Sequence, residues 1–510
     1  RFCMADASGK HLNYAQALSV SVSLSNIIKS LVQEEKCIGI MLPPSIGSVL
    51  GNIAVSLLNK IPVNLNYTTS REAMGAIIEQ CSMQTILTSR KFIEKTGFSL
   101  PGKVIFMEDL FGSISGGQMA MSFFKSYCFP REISHRFVFG KNNIRAMGQL
   151  ATIMFTSGST GHPKGVQLTH ANIVSNLEGL YQVFHVRKKD VVMGILPQFH
   201  SFGFTANMWF PLVAGIGAVY HYNPLDAKMI GQLVQRYQAS ILMATPTFLS
   251  GMSRRCSQEQ LRSLRIVVVG AEKLKKEITE QFRAKFGIEP MEGYGCTELS
   301  PIVSINLPDY HEQGVRQKSH KREKIGLPLP GVAVKILNQE SLQPVGANED
   351  GLLYVKGPNV MQGYLHQDAL TRDLIREGWY QTGDIANMDE DGFLTITDRV
   401  SRFSKIGGEM VPHIKIEEAI QEILETSELV CAVTSVPDER KGEKLAVLCL
   451  QDVDVISLVD QLKACGLPNL WIPAVSQFIS VPAVPLLGTG KVDLGRVKQI
   501  AHEHFQMHQK

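Results

Sequence analysis

The stretch Ile153-Met-Phe-Thr-Ser-Gly-Ser-Thr-Gly-His-Pro-Lys-Gly165 concentrates the groups a polyphosphate needs. A hydrophobic strand runs into a loop that holds four hydroxyls (Thr156, Ser157, Ser159, Thr160), the glycines Gly158, Gly161 and Gly165, and Lys164. Glycines let backbone N–H groups approach phosphate oxygens closely, hydroxyls add donors, and the lysine supplies a point charge. The spacing is not that of a Walker A motif, which needs GxxxxGK[ST]. A plain polar surface turn would not be so biased, nor so placed behind a buried strand.

Further segments of the same kind follow in order. They are Gln198-Phe-His-Ser-Phe-Gly203, Gly270-Ala-Glu272, Gly293-Tyr-Gly-Cys-Thr-Glu298, Thr382-Gly-Asp384, Arg399, Lys405-Ile-Gly-Gly-Glu409 and Pro485-Leu-Leu-Gly-Thr-Gly-Lys491. Taken singly each is weak. Asp384 alone reads as a turn residue, and the loop ending in Lys491 could be any loop. As an ordered series from residue 153 to 491 they are specific. The series resembles the signature set of the adenylate-forming (AMP-binding, acyl-CoA synthetase-like) superfamily.

The resemblance implies roles residue by residue. Thr156, Ser157, Gly158, Ser159, Thr160, Gly161 and Lys164 would cradle the phosphates of ATP. Gly270, Ala271 and Glu272 would hold the adenine through their backbone, with Tyr294 of the Gly293–Gly295 segment packed on it. Thr297 would touch the α-phosphate, Glu298 with Thr156 would hold Mg²⁺, and Asp384 would bind the ribose. His200 would lie near the substrate carboxylate. Lys491 would be the adenylation lysine and Lys405 would serve thioester formation. Arg399 would open the hinge motif, with the hinge itself near Ser401. A carboxylate is a poor electrophile, so attack on the α-phosphate would first make acyl-AMP and pyrophosphate. The charge gathering there would be stabilised electrostatically by Lys491 and Mg²⁺. A thiol would then take the acyl group after rotation of a small C-terminal domain.

Elements must position these groups. Short β-branched runs at Cys37–Leu42, Gln84–Thr88, Ala151–Phe155, Ala218–Tyr222, Ile241–Ala244 and Ile266–Val269 alternate with helical patterns, including a charged helix over Lys273–Phe286. That alternation predicts parallel α/β sheets. Beyond about Pro308, strands with Gly and Pro turns (Gly326–Gly331, Gly351–Gly357, Gly392–Thr397) predict a smaller, mostly antiparallel, barrel-like β unit. The last part predicts a small α+β domain: a helix through Ile416, Ile420 and Ile423, then strands Cys431–Val436 and Lys444–Leu450 around a turn at Pro437-Asp438. The expected division is an AMP-binding domain over 1–398 and a mobile domain over 399–510.

The chain has 510 residues with 44% hydrophobic and 19% charged, enough for several packed cores and unlike a disordered protein. Its net charge of +4 argues against a dedicated nucleic-acid binder. The nine cysteines are scattered without CxxC or Cys/His clusters, which excludes a disulfide framework or zinc site and suits a reducing compartment. No apolar stretch reaches membrane-helix length; the nearest, Cys37 to Leu58, is broken by Pro43, Pro44, Gly47, Gly51 and Asn52. The chain opens Arg-Phe-Cys, which reads as a fragment of a longer polypeptide.

Finer strings narrow the resemblance: Leu65-Asn-Tyr-Thr68, Leu196-Pro-Gln-Phe-His-Ser-Phe-Gly203, Thr245-Pro-Thr-Phe-Leu249, Gly270-Ala-Glu-Lys-Leu274, Arg399-Val-Ser-Arg-Phe-Ser-Lys-Ile-Gly-Gly-Glu-Met410 and Leu486-Leu-Gly-Thr-Gly-Lys491. The set is similar to the acyl-[acyl-carrier-protein] synthetase half of bifunctional bacterial 2-acylglycerophosphoethanolamine acyltransferase/acyl-ACP synthetases. This implies a fatty acid:acyl-carrier-protein ligase acting in lysophospholipid acylation, fused upstream to an acyltransferase. It also implies a cytoplasmic location, with the full-length parent at the bacterial inner membrane. A long-chain fatty acyl-CoA synthetase is the first alternative, since CoA would use the same residues. A non-catalytic nucleotide- or acyl-binding domain is the second; the intact set Thr156, Lys164, Glu298, Asp384, Arg399 and Lys491 speaks against it.

An acidic carrier protein calls for basic docking patches. Candidates are Arg316, Lys318, Lys321, Arg322 and Lys324, and a second group of Arg402, Arg440, Lys441 and Lys444. Arg402 stands where many members of the superfamily have Asp. Phe202, Phe204, Met208 and Trp209, near His200 and the Thr245–Phe248 segment, suit an acyl tail or simply a core.

Overall fold

A computed structural model describes residues 1–32, 34–98, 100–127, 147–157, 163–312, 314–399, 402–406, 409–426, 428–438, 442–486 and 492–507. The architecture is mixed α/β, with a large sheet-rich N-terminal domain and a smaller C-terminal one. Its widest layer is a nine-stranded sheet ordered Leu327–Pro328, Ile302–Ile305, Met291–Gly295, Ile266–Val269, Ile241–Ala244, Val191–Gly194, Gly217–Tyr220, Phe2–Asp6, His11–Asn13. The six central strands run parallel and both edges are antiparallel. The central strands read as unbroken apolar runs because both faces are covered; Ile241–Ala244 and Ile266–Val269 are buried at every position. A second, all-parallel sheet holds Ile61–Asn64, Cys37–Ile40, Thr85–Thr88 and Lys103–Phe106. These are the parallel sheets that the alternation predicts.

The strand leading into the phosphate loop departs from that expectation. Leu150–Ser157 joins no parallel sheet. It pairs antiparallel with Pro163–Thr169, in register Thr156↔Lys164, and Gly363–Tyr364 adds a third antiparallel strand. The candidate phosphate loop is therefore flanked by two strands that pair with each other as a β-hairpin. The antiparallel unit expected beyond Pro308 is present as Ala333–Leu337, Gly351–Lys356, Trp379–Met388 and Ile375–Arg376, with Leu394–Arg399 beside Trp379–Met388.

From residue 403 onward a separate sheet is ordered Glu409–Pro412, Phe403–Ile406, Gly442–Leu450, Cys431–Asp438, with Phe478–Val481 parallel to Gly442–Leu450. Helix His413–Ile423 covers one face through Ile416 and Ile420, and helix Leu494–Met507 covers the other through Val497 and Ala501. Pro437 and Asp438, expected as the turn, continue the strand opposite Glu443 and Gly442. Among the described residues no helix is long and apolar enough to cross a membrane.

Candidate active site

Four of the quoted segments share one structural address: the carboxyl ends of the parallel strands in the nine-stranded sheet. Val191–Gly194 leads into Leu196–Gly203, Ile241–Ala244 into Thr245–Phe248, Ile266–Val269 into Gly270–Glu272, and Met291–Gly295 into Thr297-Glu298. Val191–Gly194 has Gly217–Tyr220 on one side and Ile241–Ala244 on the other, so the strand order reverses there. Open α/β sheets bind ligands outside such a switch point.

Close backbone approach explains the glycines that matter most. A Cβ on Gly203 would sit 2.1 Å from the Pro197 carbonyl oxygen, where the chain turns into the π-helix Gly203–Trp209. A Cβ on Gly295 would lie 1.9 Å from the Pro301 carbonyl oxygen. Ala271 adopts φ +74° without being glycine, a strained conformation of the kind that gathers at functional sites.

At one end of the site, Asp384 and Arg399 are register partners on adjacent antiparallel strands, and Arg399 Nε lies 2.6 Å from Asp384 Oδ1. The Tyr294 hydroxyl donates to Asp384 Oδ2. Thr382 Oγ1 accepts from the Asp384 backbone N–H (3.0 Å) and donates to the Leu353 carbonyl (2.9 Å), which holds the Gly383 turn in place. The neighbouring Asp384 carboxylate keeps Arg399 firmly cationic. Burial, reinforced by Asp384, pushes Tyr294 up, so it remains a neutral donor. At the other end, the Tyr364 hydroxyl donates to Glu298 Oε1 (2.8 Å), and the Lys164 ammonium lies 5.8 Å from the Tyr364 ring centre. Ser201 and Thr297 hydroxyls stand 3.2 Å apart. Burial and then Glu298 push Tyr364 up as well, keeping its proton on the Glu298 side.

A buried carboxylate bracketed by Arg399 and Tyr294 thus faces a hydroxyl- and lysine-bearing hairpin linked through Tyr364 to a second carboxylate. The AMP-binding enzyme family matches residues 1–365. The chain belongs to this family. A long-chain-fatty-acid–CoA ligase of Yersinia pestis is 31% identical over 349 residues, covering 67% of this chain and 60% of that protein. One of Bacillus subtilis is 32% identical over 302 residues, covering 58% of this chain and 51% of that protein. The chain therefore spans little more than half the length of these relatives. Two solved structures share its fold: ATP-bound MatB from Rhodopseudomonas palustris (TM-score 0.80, 22% identity, covering 98% of this chain and 95% of that one), and o-succinylbenzoate CoA synthetase of Bacillus subtilis with ATP and magnesium ion (TM-score 0.79, 22% identity, 98% and 96%).

In this AMP-binding enzyme the structure brings together Thr156, Lys164, Glu298, Tyr294, Asp384 and Arg399 on three sheets. Gly158, Ser159, Thr160, Gly161, Ser401, Lys491, Arg440 and Lys441 lie outside the described residues, and the side chains of Ser157 and Lys405 are not described. Lys405 itself is in strand Phe403–Ile406, paired with Met410. Glu272 accepts from Thr247 (2.8 Å), tying the Gly270–Glu272 segment to the helix capped by Thr245. His200 follows Phe199, whose ring meets Tyr67 edge-on at 4.9 Å; Leu65–Thr68 therefore reaches the site through Tyr67. Tyr364 and Ser201 are the functional candidates that sequence reasoning missed. Tyr364 lies in Gln362-Gly-Tyr364, where only its pairing with the hairpin marks it.

One expectation needs correction, and two that were open are narrowed. Arg402 is not a docking residue: it is buried and ion-paired with Glu417, which also accepts from the Val433 N–H at 2.6 Å. Burial pushes the Glu417 carboxyl up, and the Arg402 charge opposes that rise without cancelling it. In the basic run 316–324 the side chain of Arg316 is not described, and the other four cations have partners within the fold: Lys318 and Lys321 pair with Asp391, Lys321 and Lys324 with Asp389, and Arg322 with Glu289. Phe204 and Met208 are fully buried in the main core, which leaves Phe202 and Trp209 as the half-buried pair near His200.

Proposed function

We propose that the chain is an ATP-dependent fatty acid:thiol ligase that forms acyl-AMP and pyrophosphate and then transfers the acyl group to a phosphopantetheine thiol. The observation that carries the reading is that the Asp384–Arg399–Tyr294 cluster adjoins the Lys164–Tyr364–Glu298 cluster, close enough for Arg399 to feel the Glu298 charge.

The donor set fits the nucleotide. Asp384 offers about four acceptor sites, two of them engaged by Arg399 and Tyr294, which leaves capacity for a vicinal diol. Thr156 and Lys164, register partners in the hairpin, supply a hydroxyl and a cation to phosphate oxygens. Glu298, with Thr156, would hold Mg²⁺, which supplies charge neutralisation at the phosphates. Among the described residues no group of three His, Cys, Asp or Glu could hold a metal, and magnesium needs none, since it binds through one or two carboxylates plus phosphate and water. Tyr364 fixes the Glu298 carboxylate by donating to one oxygen and leaving the other. His200 and Phe202 orient the incoming carboxylate, and Lys491 meets the charge that develops at the α-phosphate.

For the second half-reaction, residues 399–510 act as a mobile domain hinged near Ser401, and Lys405 serves the thiol step. The acceptor favoured by the finer strings of the sequence is acyl carrier protein, in a chain joined in its parent to an acyltransferase. CoA is the second reading, favoured by the names of the curated relatives and by the internal pairing of Arg402 and of Lys318 to Lys324. The test is Mg·ATP-dependent thioester formation from palmitate, with holo-acyl carrier protein and CoA offered in parallel. Product on the carrier protein alone supports the first acceptor, and product on CoA alone the second. Absence of any palmitate-dependent ATP–pyrophosphate exchange overturns the whole reading.

A further inference from the structure

Two cysteines stand together behind the phosphate hairpin. Cys37 opens strand Cys37–Ile40 and Cys81 is the C-cap of helix Arg71–Gln80. The two thiols are hydrogen-bonded to each other and both line a cavity of about 1350 Å³. Lys29, Lys36 and Lys60 line the same cavity. The neighbouring Glu35 carboxylate is taken up by the N–H groups of Gln84 and Thr85 and the Thr85 hydroxyl, at 2.9, 2.9 and 2.7 Å. Both cysteines are otherwise buried and meet solvent through this cavity, whose lysines outnumber the two carboxylates, Glu34 and Glu35, that share its lining; cations beside a thiol favour the reactive thiolate.

Five of the six other described cysteines differ, and the sixth, Cys465, is exposed and away from this cavity's lining. Cys3, Cys256, Cys296, Cys431 and Cys449 are all pushed up by burial and are inert as nucleophiles. Cys37 alone among those displaced moves down, because the Cys81 thiol hydrogen-bonds to it and Lys36 lies close. Cys81 caps the C-terminal, negative end of helix Arg71–Gln80, where a thiolate is disfavoured, and the same bond pushes it up; the pair therefore divides into an attacking sulfur, Cys37, and a resolving thiol, Cys81.

We propose that Cys37 and Cys81 form a modification site for hydroperoxides, closing to an intrachain disulfide. The Cys37 thiolate attacks one peroxide oxygen, the O–O bond breaks, and the departing hydroxide takes a proton and leaves as water. The resulting sulfenic acid is attacked by the Cys81 sulfur. The S–O bond breaks and a second water leaves with the Cys81 proton. Two thiols lose two electrons and two protons, and one hydrogen peroxide becomes two waters.

The closure reaches the hairpin. Cys37 and Cys81 share one hydrophobic cluster with Ile153, and Phe155 and Leu365 pack against it. Phe155 precedes Thr156 on the hairpin strand, and Leu365 donates its N–H to the Gly165 carbonyl at 2.7 Å. Drawing the two sulfurs into a covalent bond repacks the cluster under Thr156 and Lys164, and ATP binding weakens.

The experiment begins with fully reduced full-length chain exposed to a slight excess of hydrogen peroxide, then alkylated and mapped by peptide mass without reductant. The expected product is a Cys37–Cys81 cross-linked peptide, lighter by two hydrogens and reversed by dithiothreitol. In Cys81→Ser the Cys37 sulfenic acid should persist and be trapped by dimedone; in Cys37→Ser no adduct should form on Cys81. The KM for ATP in pyrophosphate exchange should rise severalfold on oxidation of wild type and stay unchanged in peroxide-treated Cys37→Ser. Cys37 that remains as alkylatable as Cys256 after peroxide, or dimedone capture on Cys81, overturns the dithiol. Cross-linking with an unchanged KM overturns the coupling to the hairpin. The mass map needs no catalysis, so it stands whatever the outcome for the ligase reading.

Discussion

Replacing Arg402 by methionine should unfold the C-terminal sheet, not loosen a partner. Arg402 and Glu417 expose only 8% and 14% of their side chains, so each is the other's main compensation for leaving water. Removing one member of such a buried pair costs about 3–5 kcal/mol. At about 4 °C per kcal/mol, the low end of the range for a unit of this size, the C-terminal melting transition should fall by roughly 12–20 °C. The double variant Arg402→Met/Glu417→Gln removes both charges and keeps an acceptor for the Val433 N–H, so it should regain most of the loss. Calorimetry of wild type, both single variants and the double variant checks the cycle, with ATP–pyrophosphate exchange run alongside. A wild-type melt for Arg402→Met, together with a raised KM for carrier protein, would refute the buried-pair reasoning and return Arg402 to the docking surface.

Other perturbations bear on the site. Asp384→Asn leaves the Arg399 guanidinium without its carboxylate and should cost about 1–3 kcal/mol of nucleotide binding, read as a rise of roughly five- to 150-fold in the KM for ATP. Tyr364→Phe should lower the rate of pyrophosphate exchange at saturating ATP, because Glu298 loses the donor that fixes it. Burial pushes the Glu292 carboxyl up to about 7. Its folded pKa lies above its unfolded one, so its contribution to stability is complete below about pH 4.5 and is lost as pH rises through about 7; Glu292→Gln should flatten that part of the stability–pH profile in thermal melts. Lys273 and Lys275 reach across to Glu418 (2.5 Å) and Gln421 (2.8 Å). Lys273→Glu should release the contact and change the ratio of adenylation to thioester rates, with Glu418→Lys restoring the ratio in the double variant.

What could be read without coordinates followed from local chemistry. Ile241–Ala244 and Ile266–Val269 were legible to the residue because an unbroken apolar run is what a strand covered on both faces requires. The helix expected from Lys273 begins only at Lys276, since Lys273 and Lys275 turn to the C-terminal helix and the Leu274 N–H goes to Glu292. Phe2–Asp6 was missed: it is short, and its parallel partner, Met4 opposite Ala218, lies far along the chain. The hairpin was read as a strand before a loop because Pro163-Lys-Gly165 looks like loop and only pairing makes it strand. Charge was visible at Arg402 and from Lys318 to Lys324, but its long-range neutralisation by Glu417, Asp389, Asp391 and Glu289 was not. Asp384 was found through its place in a series, whereas Tyr364, which belongs to none of the quoted strings, emerged only from its hydroxyl on Glu298.

Building the two ends of the site on different sheets has a consequence for how such a protein changes. Leu196–Gly203 and Thr245–Phe248 hang from the parallel sheet, while Asp384 and Arg399 are fixed across an antiparallel one and Thr156 and Lys164 across a hairpin. Altering the first pair of segments leaves the register of the others intact. In the proposed function, recognition of the acid is therefore exchangeable in blocks, like an adaptor on a motor, provided that a graft of those two segments keeps the Ser201–Thr297 and Thr247–Glu272 contacts that join them to the nucleotide side.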